Sequence, residues 1–125
     1  MNSQQLDESP IIQYIILRKD LIDNKKWTQG ALMAQACHAS TSAIWLWKED
    51  IDVQKYMSDL DNMHKILLQV SNEDELRSIS KLLSDNKICH KLWIEQPENI
   101  PTALAIKPYH KSIFGCLLQK LKLFR

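Results

Sequence analysis

The sequence contains few cysteines, and their spacing argues against both a disulfide framework and a zinc site. Of its 125 residues only three are cysteine, namely Cys37, Cys89 and Cys116, and no C-x-x-C pair occurs. An odd number of widely separated cysteines fits neither a secreted disulfide-rich domain nor a structural zinc centre. We therefore expect a protein of a reducing compartment that binds no metal.

Long apolar runs are also missing. No stretch approaches the roughly 18 consecutive apolar residues of a membrane-spanning helix. The first ten residues, MNSQQLDESP, are polar and acidic, without the basic start and apolar stretch of a secretory signal. We expect a polar tail over residues 1–10 and one domain over residues 11–125, located in the cytoplasm and not at a membrane.

The sequence has no strong excess of charge of either sign. Its 16 Lys and Arg residues nearly balance 15 Asp and Glu residues, which leaves a formal net charge of +1. This balance excludes a protein coated in basic surface, so a nucleic acid would have to bind at a local basic patch. Apolar residues at 45% and charged residues at 25% are typical of a globular domain.

The pattern of apolar residues predicts strands that alternate with helices. Strands are expected at residues 11–17, 63–70, 88–95 and 102–106, where β-branched and aromatic residues are dense. Helices are expected at residues 31–47, 51–60 and 111–121, and a further helix opens after Ser71. Asp50 is the expected N-cap of the second helix. The alternation predicts a layered α/β fold in which the strands form one sheet.

Each predicted helix carries a stripe of residues expected to face the core. The expected inward residues are Met33, Ala36, Ala43, Ile44 and Trp47 in the first helix, Val53, Tyr56, Met57 and Leu60 in the second, Leu76, Ile79, Leu82 and Leu83 in the third, and Ile113, Phe114, Leu117, Leu118 and Leu121 in the last.

Basic residues follow two of the predicted strands. Arg18, Lys19, Lys25 and Lys26 come after the first strand, and Lys107, His110 and Lys111 come after the fourth. If the two loops converge they form a phosphate-binding rim, although a run of charges is more often a solvated face. Trp27, within the first cluster, would either stack on a base or cover the edge of the core.

Two polar features are candidates for chemistry. Gln35 and His38 are three residues apart and share one face of a predicted helix. The loop from Glu95 to Asn99 follows the third strand, and ligands of open α/β sheets favour the crevice beyond the carboxyl ends of strands. Each has a common alternative, since a Gln–His pair is often an ordinary hydrogen-bonded pair and such a loop is often a solvated turn.

Several segments resemble a known family in order and spacing. These segments are IIQYIILRKDL, ALMAQACHAS, MHKILLQVSNEDEL, LWIEQPENI, TALAIKP and LQKLKLF. They resemble the type II peptidyl-tRNA hydrolases of archaea and eukaryotes, in particular the branch of peptidyl-tRNA hydrolase domain-containing proteins. The resemblance covers nearly the whole chain after the polar tail.

The resemblance implies both a fold and an activity. The fold is a three-layer α/β/α sandwich with a four-stranded mixed sheet, often assembled as a homodimer. The activity is hydrolysis of the ester that joins a peptide to the terminal adenosine of tRNA, without a metal or other cofactor. The implied partner is a tRNA that carries a peptide or a modified aminoacyl group.

The family's site residues carry over onto five positions. Gln35 and His38 match the helix motif A-Q-x-x-H-A, and Glu95 stands where the enzymes have an aspartate that opens a D-A-G-x-T-Q loop. Asn99 lies near that loop's glutamine, and Thr102 matches a threonine that enters the last strand. The resemblance thus implies that these five residues form the catalytic site. The implied tRNA-binding residues are Arg18, Lys19, Lys25, Lys26, Lys107 and Lys111.

Two departures from the family pattern leave two functions open. Ala31 stands where the enzymes have a reactive lysine, with Lys25 and Lys26 as the nearest substitutes, and the loop after Glu95 has a different sequence. In an esterase, Glu95 would orient or deprotonate the water and Gln35 would donate to the oxyanion, while a lysine of the Lys25–Lys26 loop would bind phosphate or replace the missing cation. The alternative is a catalytically weak or inactive module of the same fold that binds tRNA or a protein.

Overall fold

The structure is a computed structural model that describes residues 6–125, so residues 1–5 of the predicted tail lie outside the described residues. It is an α/β fold with one sheet and four α-helices. The strands are β1 (Ile11–Arg18), β2 (Lys65–Val70), β3 (His90–Glu95), β4 (Ile100–Ile106), β5 (Tyr109–His110) and β6 (Lys122–Leu123); the helices are α1 (Asp20–Asp23), α2 (Gln29–Leu46), α3 (Ile51–Ser58) and α4 (Glu73–Asp85), with 3-10 turns at Leu60–Asn62 and Lys111–Phe114. None of the helices in this part of the chain is long and apolar enough to cross a membrane.

The sheet is mixed and has six strands, in the order β3-β4-β1-β2-β6 with β5 beside β1. Strand β1 runs parallel to β2 and antiparallel to β4, and β4 is antiparallel to β3. The four predicted strands lie in this one sheet, as expected. The expected number of four strands is wrong, because β5 and β6 add two residues each, too few for an apolar alternation to reveal.

Strand directions decide which loops are neighbours. Because β1 and β3 are both antiparallel to β4, they run in the same direction and their carboxyl ends lie at the same end of the sheet. The carboxyl end of β4 lies at the opposite end. Loops after β1 and β3 can therefore build one site, whereas the loop after β4 cannot join them.

Successive residues of β1 belong to two different cores. Ile15 and Leu17 pack in a cluster with α2, whereas Ile16 packs in a cluster with α4. This follows from the alternation of side chains along a strand. On the side of α2 the sheet presents Ala103 and Ala105 of β4, and these small residues let the alanine-rich helix approach closely.

Helix α2 buries a different face from the expected one. Met33, expected inward, is 65% exposed, while Ala36 and Ala43 are buried as expected. The buried residues of α2 are Leu32, Gln35, Ala36, Ala39, Ser40 and Ala43. The buried residues have helical spacing, but the buried face is the one that carries Gln35. This polar residue has hydrogen-bond partners inside the fold and can therefore be buried at little cost.

Two predicted helix starts are confirmed by their caps. The Asp50 carboxylate accepts hydrogen bonds from the backbone N–H groups of Asp52 and Val53 at 2.9 and 3.2 Å. Asn72 caps α4 by accepting from the Glu75 N–H at 2.9 Å. Such side chains satisfy amides that have no partner within the helix.

Two predicted helical segments end early. Helix α3 stops at Ser58, so Leu60 lies in a 3-10 turn and is exposed rather than inward. The predicted helix at residues 111–121 is wrong, since only the 3-10 turn Lys111–Phe114 forms before Gly115 at φ +51°. A left-handed residue of this kind ends helical geometry. Phe114 and Leu118 are still buried, but Ile113 is 53% exposed.

Strands β3 and β4 form a hairpin whose pairing includes one of the two prolines in this part of the chain. Pro97 lies in the turn, but Pro101 belongs to β4 and is paired with Ile94. The register shifts between Trp93 and Ile94, and proline is tolerated in a strand at such an irregularity. The hairpin therefore extends to Glu95 and holds it against β4.

Candidate active site

Gln35, Glu95 and Thr102 form a chain of hydrogen bonds that joins α2, β3 and β4. The Gln35 amide Nε2 donates to the Glu95 Oε2 at 3.0 Å, and the Gln35 Oε1 accepts from the Thr102 Oγ1 at 2.8 Å. This orientation of the amide is the one that fits, because the reverse would set the amide oxygen against the carboxylate. Residues far apart in the sequence are thus brought to one point, as the family resemblance implies.

His38 reaches this chain through Trp93. The Trp93 Nε1 donates to the Glu95 Oε1 at 3.1 Å, and the indole ring stacks on the His38 imidazole with centroids 4.8 Å apart and planes at 19°. Trp93 is not among the residues that the sequence predicts for the site. The available signal is its position two residues before Glu95 in a predicted strand, a spacing that usually sets two side chains on one face.

The environment of Glu95 favours its ionised form. A hydrogen bond from the Gln35 side chain, then one from Trp93, hold the pKa of Glu95 below its usual value, and a nearby His38 charge adds to the effect. Slight desolvation acts in the opposite direction. Gln35 donates to one carboxylate oxygen and Trp93 to the other, and a carboxylate has about four lone-pair sites, so a water molecule can still bind to it.

Asn99 stabilises the turn after β3 and is not joined to Glu95. Its backbone is left-handed at φ +57°, a conformation in which asparagine is enriched. Its Oδ1 accepts from the Gln96 Nε2 at 3.3 Å. The structure therefore brings together four of the five expected catalytic residues, and Asn99 is the one that stands apart.

The position of the family's lysine is occupied by Ala31 in the first turn of α2. The Ala31 backbone N–H donates to the Thr28 Oγ1 at 3.1 Å, which is the N-cap of the helix. Lys25 and Lys26 lie in the turn that precedes α2 and are exposed. Within residues 6–125, no hydrogen bond or ion pair joins either amine to Glu95.

The two basic loops do not converge, so the single phosphate-binding rim that convergence would have built does not form. They lie at opposite ends of the sheet because β1 and β4 are antiparallel. Arg18 is buried and donates to the Asp20 carboxylate at 2.7 and 3.1 Å and to the Pro101 carbonyl at 3.0 Å. Lys107 is also buried and forms an ion pair with Asp50 at 2.6 Å. Both charges are therefore used inside the fold.

The remaining basic and aromatic candidates have separate surroundings. Lys19 donates to the backbone oxygen of Arg125, and its amine lies 4.9 Å from the centre of the Phe124 ring. Lys111 is exposed beyond β5, at the other end of the sheet from Glu95. Trp27 packs against the core on the α2 side, so the expected alternative of covering the core's edge is the observed one.

Comparison with known proteins identifies the family of the chain. Residues 11–124 match the model of a family described as peptidyl-tRNA hydrolase PTH2. The chain is 40% identical over 116 residues to proteins of mouse and human, both named "Putative peptidyl-tRNA hydrolase PTRHD1", covering 92% of this chain and 83% of each relative. It is 34% identical over 101 residues to a protein of Methanothermobacter thermautotrophicus named "Peptidyl-tRNA hydrolase", covering 77% and 84% of the two chains. The chain therefore belongs to the PTH2 family of peptidyl-tRNA hydrolases.

Proposed function

We propose that the protein hydrolyses peptidyl-tRNA at the ester between the peptide and the tRNA. The observation that carries this proposal is the hydrogen-bond chain from Thr102 through Gln35 to Glu95. All three members stand at positions that the family resemblance implies for the site, and they meet although they lie on different elements. This series of hydrogen bonds ends on the carboxylate of Glu95, whose ionised form is favoured and can still accept a hydrogen bond from water.

The proposed reaction uses Glu95 as the general base. Its carboxylate accepts a proton from a water molecule as the water oxygen attacks the ester carbonyl carbon. The bond from that carbon to the ribose oxygen then breaks, and the ribose oxygen takes up the proton. The products are a peptide with a free carboxyl group and a tRNA with a free hydroxyl group.

The other residues divide into those that touch substrate and those that position Glu95. Gln35 is only 2% exposed and Thr102 is fully buried, so neither is assigned a contact with the substrate. Thr102 orients Gln35, Gln35 donates to one oxygen of the Glu95 carboxylate, and Trp93 donates to the other oxygen. His38 is exposed beside Trp93. We assign to it a hydrogen bond to the oxyanion that develops on the ester, in place of the role expected for Gln35.

Phosphate binding in this proposal comes from Lys25 and Lys26. They follow β1, whose carboxyl end lies at the same end of the sheet as Glu95. Both amines are exposed, and neither forms an ion pair within the described part of the chain. They are thus available to the phosphates next to the acceptor end of a tRNA.

Three further expectations belong to this proposal. We infer that the helices form layers on both faces of the sheet, since α2 and α4 pack in separate clusters on successive residues of β1. A cytoplasmic location fits an enzyme whose substrate arises in translation. A homodimer is proposed only from the resemblance to the family.

A binding module without turnover is favoured by one observation, the alanine at position 31. A cation organised in advance at the reaction centre commonly contributes orders of magnitude to rate. The test is a single-turnover reaction with the protein in excess over a defined peptidyl-tRNA, in which the released peptide is measured. Release of peptide supports the esterase, whereas binding of the tRNA with its ester intact supports the module.

A further inference from the structure

An open apolar cleft of about 570 Å³ lies on the α2 side of the sheet, over β1 and β2. Its volume is within the range of roughly 300–1,000 Å³ found for small-molecule sites. Met33 and Leu67 in its lining are 65% and 37% exposed. The apolar lining residues include Ile15, Leu17, Leu32, Met33, Leu67 and Phe124.

The cleft is separate from the proposed active site. Ser40 and Met33 of α2 line it, whereas Gln35 of the same helix is bonded to Glu95 and Thr102 on β3 and β4. The helix therefore presents one flank to the hydrolytic site and the other to the cleft. An occupant of the cleft would not contact Glu95.

The polar end of the cleft is built around Lys65, the first residue of β2. Its amine donates to the Gln13 Oε1 at 2.6 Å and to the Ser40 Oγ at 3.0 Å. The Ser40 hydroxyl also donates to the Gln13 Oε1 at 2.7 Å, and the Gln13 amide donates to the Ser40 carbonyl at 3.2 Å. Both acceptors of the lysine are therefore neutral, and they fix its position.

Lys65 has no anionic partner among the residues that the structure describes. None of the ion pairs in this part of the chain includes it, and the residues lining the cleft include no Asp or Glu. An ammonium group has three donors, of which Lys65 uses two in these hydrogen bonds, and its amine also lies 5.3 Å from the centre of the Tyr56 ring, which carries no formal charge. Burial lowers the pKa of Lys65, as expected for a cation that is partly removed from water without a counter-ion.

We propose that this cleft binds a small apolar molecule that carries one carboxylate. The carboxylate accepts the remaining N–H of Lys65, which supplies the missing counter-ion. The apolar body lies against Leu17, Leu32 and Phe124, where it removes exposed apolar surface from water. The site is thus selective for an anionic head on an apolar chain, as in a fatty acid.

The test compares two probes of equal chain length by calorimetric titration of the full chain. Sodium decanoate carries the carboxylate and 1-decanol does not, and both are used below the concentration at which they aggregate. We expect decanoate to bind with a stoichiometry of one and about tenfold or more tighter than decanol, because a charge-assisted hydrogen bond is made only by decanoate.

Two variants and a control make the result specific to Lys65. Lys65→Met keeps the length of the side chain and should weaken decanoate by about tenfold or more while leaving decanol unchanged. Leu67→Glu keeps the lysine but supplies a carboxylate two residues away on the same strand face, so it should also abolish decanoate binding. Lys55→Met, on the exposed side of α3, should bind both probes as the parent chain does.

Several outcomes would overturn the proposal. One is equal affinity for decanoate and decanol, and another is decanoate binding that persists in Leu67→Glu. A third is a concentration-dependent dimer in analytical ultracentrifugation that Leu67→Glu dissociates, because the cleft would then be covered by a second copy of the chain. Hydrolysis of peptidyl-tRNA is a separate measurement, so a failure here leaves the proposed activity unaffected.

Discussion

Thr102 donates a hydrogen bond of 2.8 Å to the side-chain oxygen of Gln35, and both residues are almost completely buried. The bond orients the Gln35 amide so that its nitrogen faces Glu95. The carboxylate at the surface is therefore held by a polar contact that begins in the core. The stability of the fold and the geometry of the site depend on the same hydrogen bond.

The first prediction concerns this bond. Thr102→Val keeps the shape of the side chain but leaves the Gln35 oxygen buried without a donor, which should lower the free energy of unfolding by about 1–3 kcal/mol. Urea denaturation measures the loss, and hydrolysis should fall as the amide is released. Thr102→Ser keeps the hydroxyl and is the control. If Val and Ser behave alike, the hydrogen bond does not have this role.

Glu95→Gln is the second prediction. The change keeps the size of the side chain but removes the base, so kcat/KM for peptidyl-tRNA should fall by about 100-fold or more. Affinity for tRNA should stay the same or increase slightly, because a negative charge near the phosphates is lost. Glu98→Gln, in the exposed turn that follows, is the matched control. Undiminished hydrolysis in Glu95→Gln would refute the assignment of the base.

The third prediction is a change in pH dependence. Hydrogen bonds from Gln35 and Trp93 lower the pKa of Glu95, so the carboxylate is ionised and active above that lowered pKa and is lost as the pH falls through it. Trp93→Phe removes one donor and should raise the pKa, which moves the acidic limb of the rate profile to higher pH. Trp45→Phe, at an exposed position, should leave the limb in place.

The fourth prediction concerns tRNA binding. Changing Lys25 and Lys26 together to Ala should weaken binding and reduce the slope of log affinity against log salt by about 1.4 to 1.8, for two phosphate contacts. The loss should be the same for tRNAs of different sequence. Lys111→Ala, at the other end of the sheet, should leave the slope unchanged. An equal effect of Lys111→Ala would place the tRNA elsewhere on the surface.

Local sequence predicts the four main strands of this protein and the starts of α3 and α4. The four main strands are dense in apolar residues, which fixes their type, and all four occur at the expected positions. Asp50 and Asn72 mark helix starts because a side-chain oxygen at that point satisfies free amides of the first turn. These signals act within a few residues, so they are visible without the fold.

The candidate site is predicted in part. Gln35 and Glu95 come from motif positions and meet as expected, but Trp93 is missed because a tryptophan in a strand has the same appearance in the sequence whether it packs in the core or donates to a carboxylate. Arg18 and Lys107 were expected to bind phosphate and are instead paired with Asp20 and Asp50. Whether a charge is available depends on its neighbours in space.

The sequence by itself determined whether most segments form a strand or a helix and how these are spaced along the chain. Tertiary structure decided which face of each helix is buried and in which direction each strand runs. In helix α2 a buried face with Met33 and a buried face with Gln35 both fit a helical period. Gln35 is the buried one because Thr102 and Glu95 satisfy its amide, and Met33 is exposed. The antiparallel pairing of β1 with β4 separates the two basic loops. Residues 111–121 have a helical pattern of apolar side chains, but Phe114 packs on Tyr14 and the chain then pairs with the edge of β2. Burial and strand pairing are contacts between distant residues, and their free energy outweighs the small local preferences that a sequence pattern records.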